Sequence, residues 1–217
     1  MALVDKLEIE NVIKRGHFLL TSGRHSDVYI NKDAIFCNPD LFNDVINIMY
    51  MKVHQLDFDV VTGPAIAGAV LAAPLARNLG KIFVYPEKII NGPACPISEG
   101  MQFRRGYDKV LKDKKVILIE DIITTGGSVL KTIDAIHECG GTVEKVIAIW
   151  NRSKWTTEHC EVDSIIKETV ESWEADDCPM CEAWLKEEHH KCDTCPSTEC
   201  DCEVKYPLTD PKTGYII

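Results

Sequence analysis

The sequence predicts an α/β fold, a central parallel sheet flanked by helices, and three observations point to it. Short apolar runs alternate with stretches of helical spacing, the pattern of strands joined by crossover helices. The strongest run, Val116 to Ile119, is apolar without alternation, as a strand buried on both faces requires. The 217 residues are 45% hydrophobic and 27% charged, the balance of an ordinary globular chain. At this length one domain over 1–217 is expected, since two would be cramped.

Taken in order, residues 1–20 predict a helix and an entry segment. Phe18 to Leu20 and Val28 to Ile30 are strand candidates around the turn Ser22-Gly23-Arg24. From Pro39, apolar residues at Leu41, Val45, Ile48, Met49 and Val53 recur at helical spacing. Asp59 to Thr62 is a short strand ending at Gly63-Pro64, followed by a helix from about Gly68 to Asn78 with Gly80 as its stop. Lys81 to Tyr85 reads as a strand. Residues 86–114 form a polar stretch, long enough to be functional, mobile or folded into a small hairpin. After the strand at 116–119, a Gly-containing loop leads into a helix over Val129 to Cys139, stopped by Gly140-Gly141, and Val143 to Trp150 is the next strand. Beyond residue 155 the periodicity fades.

Charge separates the tail from the rest. Residues 158–217 hold 16 acids against 5 bases, whereas the remainder is near neutral, so 156–217 reads as an acidic, Cys-rich C-terminal region. With a net charge of −10 the chain lacks the basic stripe that nucleic-acid binding needs. Its longest nearly apolar run, Ala65 to Ala76, contains Pro74 and falls short of a membrane span. The acids in MALVDKLEIE do not suit a secretory signal, so a cytoplasmic protein is expected. Seven of the ten cysteines lie between Cys160 and Cys202. Cys178-Pro-Met-Cys181 and Cys192-Asp-Thr-Cys195 are two CxxC knuckles whose four thiolates have the spacing of a structural Zn²⁺ site. Reduced thiols on a weakly packed tail are the alternative.

The sharpest motif follows the strand at 116–119. Glu120-Asp121-Ile122-Ile123-Thr124-Thr125-Gly126-Gly127-Ser128 runs from two acids into a Thr/Gly/Ser loop that opens a helix. Glycines allow close backbone approach, and the helix N-terminus aims N–H groups and a positive dipole outward, which together make a phosphate pocket. The paired acids suit vicinal ribose hydroxyls or a divalent cation. A sugar phosphate satisfies both halves. A plain strand-to-helix turn would explain Gly-Gly but not Glu120-Asp121. No GxxxxGK[ST] or GxGxxG element is present.

Together with the strand, the thirteen residues Val116 to Ser128 resemble the signature of the type I phosphoribosyltransferases. The stretch GHFLLTSGRHSDVYINKD, Gly16 to Asp33, is similar to the start of the orotate phosphoribosyltransferase branch. GPAIAGAVLA from Gly63 looks like its pyrophosphate loop, and Arg152 in Trp150-Asn151-Arg152-Ser153 lies where its base-contacting Arg falls. The resemblance covers about residues 8–155. It implies an enzyme that moves the phosphoribosyl group of phosphoribosyl pyrophosphate onto orotate, giving orotidine 5′-phosphate and pyrophosphate with Mg²⁺ on the diphosphate. It further implies a homodimer, and the expected fold includes a small hood built from residues 1–35 and part of the tail.

By the same resemblance, Glu120 and Asp121 hold the ribose, and Ile122, Ile123 and Thr124 to Ser128 surround the 5′-phosphate. Gly63, Pro64 and Ala65 meet the pyrophosphate, and Thr124, Arg152, Tyr29 and Ile30 contact orotate. Segment 86–114 corresponds to the family's mobile catalytic loop, with Lys88, Arg104 and Arg105 as its candidate cations. The chain departs from the pattern in that loop, where IINGPACPISEGMQ carries neither the Lys nor the His often found there. Thr21 replaces the Lys before the N-terminal Ser-Gly, and Ala65-Ile66-Ala67 lacks the Lys of the pyrophosphate loop. These losses leave open transfer to another purine or pyrimidine base, or a catalytically weak regulator that senses phosphoribosyl pyrophosphate.

Overall fold

The computed structural model describes residues 3–20, 23–89 and 100–186. The described residues gather into two compact units, one within 39–169 and one of residues 3–38 with 170–186. The larger holds a five-stranded sheet of order β4-β3-β7-β8-β9, every neighbouring pair parallel. Its strands are β3 (Val60–Thr62), β4 (Ile82–Phe83), β7 (Lys115–Ile123), β8 (Thr142–Asn151) and β9 (Glu161–Ile166). Val116 to Ile119 are all fully buried, as a central strand covered on both faces must be.

The helices of this unit are α3 (Pro39–Val53), α4 (Ala67–Leu79), α5 (Tyr107–Leu111) and α6 (Gly127–Glu138). Pro39 opens α3 at the position where its missing N–H costs nothing, and the helix buries Leu41, Val45, Ile46, Met49 and Val53. Gly80 ends α4 in the left-handed region (φ 64°), its N–H donating to the Ala76 and Arg77 carbonyls. The polar stretch after β4 contains a ribbon, β5 (Glu87–Lys88) paired antiparallel with β6 (Met101–Gln102), and then α5.

One expectation is corrected here. The periodicity does not end at residue 155, because β9 extends the sheet by pairing with β8 from Lys145↔Glu161 to Trp150↔Ile166. Its acids disguised it. Asp163 is neutralised by Lys52 of α3 at 2.8 Å and by Lys167 at 3.0 Å, and Glu161 by Lys145 of β8 at 2.8 Å. The predicted strand 81–85 is also shorter, covering only Ile82–Phe83.

The smaller unit contains α1 (Leu3–Ile9), the antiparallel hairpin β1 (Ile13–Leu19) and β2 (His25–Ile30), and α2 (Asp33–Cys37). A bulge sets Gly16 and His17 of β1 against Asp27 alone, between the pairs Arg15↔Val28 and Phe18↔Ser26. Residues 171–174 lie along this hairpin. His25 and Trp173 exchange both backbone hydrogen bonds (2.8 and 2.9 Å), the Ser26 hydroxyl donates to the Glu171 carbonyl (2.9 Å), and Arg24 pairs with Glu174. A short 3₁₀ turn, Ala175–Asp177, then leads to α7 (Pro179–Lys186). Among the described residues no helix is long and apolar enough to cross a membrane.

Candidate active site

After β3 the chain crosses by α4 to β4 on one side, then returns to β7 on the other. The carboxyl ends of β3 and β7 therefore flank the switch point, where open α/β sheets bind ligands. Both ends carry loops singled out in the sequence, and the segment after β3 packs backbone against backbone on β7. A Cβ on Gly63 would stand 2.4 Å from the Gly68 carbonyl carbon and 2.6 Å from the Ile119 oxygen, and one on Gly68 would stand 2.7 Å from that same oxygen. Gly63 and Pro64 are buried, Ala65 is half-buried, and the Ala65–Ile66 peptide bond is cis.

At the end of β7, Glu120 and Asp121 are both buried. Their carboxylates brace the strand end: Glu120 Oε1 accepts the Asp121 N–H (3.1 Å), and Asp121 Oδ1 accepts the Ile122 N–H (2.7 Å). Glu120 and residues 122–129 line one recess. Thr124, Thr125 and Ser128 are exposed at its rim. Gly126 turns the chain into α6 at φ 74°, and among the described residues no side chain caps that helix start. The first N–H groups of α6 consequently remain available to an anion.

Arg152 follows β8 directly. Asn151 pairs in register with Ile123, and the Arg152 N–H donates to the Ile123 carbonyl (3.2 Å), so the arginine is tied to the strand that carries the recess. Its side chain is partly buried, and desolvation lowers its pKa from the ordinary arginine value. A guanidinium stripped of water in this way gains from pairing with an anion.

Two residues without an assigned role complete the arrangement. Asn151 clasps the turn that follows it: its Nδ2 donates to the Trp155 carbonyl (2.8 Å) and its Oδ1 accepts the Trp155 N–H (3.0 Å). Trp155 thereby lies on Gly126, where a Cβ would come within 2.1 Å of the indole. The clasp spans Arg152 and sets the floor of the loop at once. Nothing in WNRSKW indicates this, because the contact that gives Trp155 its role is with Gly126, 29 residues earlier.

The other predicted residues fall elsewhere. Lys88, Arg104 and Arg105 belong to or adjoin the β5–β6 ribbon and are exposed; Arg104 donates to Gln102 (3.2 Å) and Arg105 pairs with Glu87 (2.9 Å). Tyr29 and Ile30 lie in β2 of the smaller unit, half-buried, paired with Lys14 and Ile13, with the Tyr29 ring 5.8 Å from that of Phe18. Cys192 and Cys195 lie outside the described residues. Cys178 and Cys181 are buried, and the side chains gathered with them are His17 and His25, which spacing did not reveal. Burial, reinforced by Cys178, pushes the Cys181 thiol up to about 12, and burial followed by the nearby His25 lowers His17.

Residues 31–178 match the model of the phosphoribosyl transferase domain. The chain is 35% identical over 182 residues to an orotate phosphoribosyltransferase of Caldanaerobacter subterraneus subsp. tengcongensis, covering 83% of this chain and 90% of that one. It is 36% identical over 172 residues to an orotate phosphoribosyltransferase of a Thermoanaerobacter species, covering 78% and 85%. Among solved structures it resembles orotate phosphoribosyltransferase from Aeropyrum pernix (TM-score 0.62, 23% identity, 76% of this chain and 92% of that one). It resembles adenine phosphoribosyltransferase from Thermoanaerobacter pseudethanolicus almost equally (TM-score 0.60, 22% identity, 76% and 99%). At these identities the structures speak to the fold alone, and the fold is shared by relatives with different bases.

Proposed function

We propose that this chain, which belongs to the phosphoribosyl transferase family and within it to the orotate phosphoribosyltransferases, transfers the phosphoribosyl group from phosphoribosyl pyrophosphate to orotate, releasing pyrophosphate. The observation that carries this reading is the tie between Arg152 and the recess. Arg152, whose guanidinium is partly buried at the end of β8, is bonded through its backbone N–H to the strand leading into an uncapped helix start. A phosphate at that helix start and a carboxylated pyrimidine at Arg152 are the two anionic ends of one product.

In this reading the N–H groups of α6 and the Thr124, Thr125 and Ser128 hydroxyls hold the 5′-phosphate. Glu120 and Asp121 accept hydrogen bonds from the ribose hydroxyls and favour the positive charge that develops on the ring as its anomeric C–O bond breaks. Gly63 to Ala65 offer backbone to the diphosphate without a side chain in the way. Arg152 orients orotate, with Thr124 beside it, so that the ring nitrogen faces the anomeric carbon. Lys88, Arg104 and Arg105 are the cations available to the leaving group. The buried all-oxygen donor pair Glu120 and Asp121 suits a hard divalent cation; Mg²⁺, when bound, neutralises charge on the diphosphate. The reading extends to a homodimer in the cytoplasm, in keeping with the free thiols at Cys37, Cys139, Cys160, Cys178 and Cys181.

The test is the loss of orotate absorbance with phosphoribosyl pyrophosphate and Mg²⁺. Turnover is expected, and Arg152→Ala should lower kcat/KM by roughly 10²–10³, the usual cost of removing one positioned donor. Turnover with adenine or uracil but not orotate would keep the family and reject the substrate. Tight binding of phosphoribosyl pyrophosphate without turnover on any base would favour a sensor.

A further inference from the structure

In the smaller unit, four potential ligand atoms converge: His17 Nε2, His25 Nδ1, Cys178 Sγ and Cys181 Sγ, all within 4.8 Å of one another. His17 comes from the β1 bulge, His25 from the start of β2, Cys178 from the turn before α7 and Cys181 from the first turn of α7. His25, Cys178 and Cys181 are nearly inaccessible, at 3%, 1% and 2% exposure.

Hydrogen bonding cannot account for this convergence. A ring nitrogen offers either one proton or one lone pair, so it serves one good hydrogen bond. Yet His17 Nε2 has three neighbours, His25 Nδ1 at 3.0 Å, Cys178 Sγ at 3.4 Å and Cys181 Sγ at 3.6 Å, while His25 Nδ1 also meets Cys181 Sγ at 3.2 Å. A single cation at the centre would satisfy all four atoms at once. Zinc bonds of about 2.0–2.1 Å to nitrogen and 2.3 Å to sulfur, arranged tetrahedrally, place ligand atoms about 3.3–3.8 Å apart, so the four pairs named above, at 3.0–3.6 Å, are near that spacing and the whole set, within 4.8 Å, needs only a small contraction.

We propose that His17, His25, Cys178 and Cys181 form a closed structural Zn²⁺ site that fastens residues 178–181 to the β1–β2 hairpin. Both cysteines bind as thiolates and their protons pass to solvent. With four protein ligands no position is left for substrate, so the metal supplies folding energy and takes no part in transfer. The site joins segments 153 and more residues apart (His25 to Cys178) and continues the contacts that His25, Ser26 and Arg24 make with residues 171–174. Cys192 and Cys195 are not needed for it. This proposal does not depend on which base the enzyme uses.

The test measures zinc in the full-length protein by native mass spectrometry and the zinc ligand shell by X-ray absorption. One zinc per chain is expected, with two sulfur and two nitrogen neighbours; this readout needs no variant and survives any folding defect. His17→Ala and His25→Ala should each weaken Zn²⁺ by at least about 100-fold, beyond the cost of losing an outer partner. Cys192→Ser with Cys195→Ser should leave zinc content unchanged. A four-sulfur shell, zinc lost with Cys192 and Cys195 but kept without His17, a Cys178–Cys181 disulfide, or protein that takes up no added Zn²⁺ would each overturn the proposal.

Discussion

The recess at the end of β7 and the His/Cys cluster of the smaller unit are both polar centres, built by opposite means. The recess is made of one continuous strand, loop and helix, and it depends on a missing side chain: Gly126 occupies a place where a Cβ would collide, as Gly63 and Gly68 do in the neighbouring segment packed on β7. The cluster is made of four side chains brought from distant segments, and its shape depends on their presence. A centre built from backbone fails when an atom is added. A centre built from side chains fails when one is removed.

Gly63→Ala is the strongest way to break this contrast. The added methyl meets the Gly68 carbonyl carbon and the Ile119 oxygen, backbone atoms that cannot rotate aside. Overpacking of this kind costs about 3 kcal/mol or more where nothing yields. Urea unfolding should show that loss, and the protein that remains folded should keep its zinc. Gly80→Ala is the control: at φ 64° with nothing within 4 Å of an added Cβ, it should cost only the left-handed strain of about 1 kcal/mol. Equal costs at the two positions would mean that the backbone at Gly68 and Ile119 yields to the methyl, since Gly63 has no left-handed φ of its own.

Trp155→Ala sharpens the comparison from the other side, by removing a side chain from the backbone-built centre. The indole lies on Gly126 and packs against the core while remaining half-buried. The expected cost is about 2 kcal/mol, below the value for a fully buried Trp. It should be accompanied by a rise in KM for phosphoribosyl pyrophosphate as the loop loosens. Trp155→Phe should restore most of both. An unchanged KM would show that the loop holds itself.

The same contrast explains what could be read in advance. Val116 to Ser128 was legible because strand, acids, glycines and helix start are neighbours in sequence, and the chemistry follows from their order. The parallel sheet was legible from its apolar strands, but β9 was not, since Asp163 and Glu161 are neutralised by Lys52 and Lys145 from other elements. The knuckle Cys178-Pro-Met-Cys181 announced half a metal site. His17 and His25 stood within a recognised stretch without any spacing to mark them, because the bulge and the hairpin, not the helical or CxxC repeat, bring them together.

Asp163 shows side-chain dependence inside the sheet unit. Burial alone would raise its pKa, but hydrogen bonds from Lys52, Lys167 and the Ser164 N–H outweigh it and hold the carboxyl at about 2 against an ordinary 3.8. Because the folded value lies below the unfolded one, this stabilisation is complete above about pH 4 and is lost as the pH falls from there to about 2. It amounts to about 1–2 kcal/mol. Asp163→Asn should be less stable than the parent by that amount at pH 7, and the two should converge near pH 2. A constant difference across this range would mean that packing, not charge, carries the effect.

The smallest effect is expected at Thr62, and it tests the rule at its limit. The residue ends β3 just before Gly63, is fully buried, and its hydroxyl has no hydrogen-bond partner among the described residues. A desolvated hydroxyl without a partner opposes folding, whereas a methyl of similar shape in the same place does not. Thr62→Val should therefore leave stability unchanged or raise it by up to about 1 kcal/mol, measured by urea unfolding without ligands. A loss of similar size would show that the hydroxyl is bonded in solution, most simply by a water at the switch point. Adding phosphoribosyl pyrophosphate separates the two roles of the position. If the hydroxyl serves only the fold, ligand stabilises parent and variant equally; if it reaches the bound diphosphate, the variant gains less.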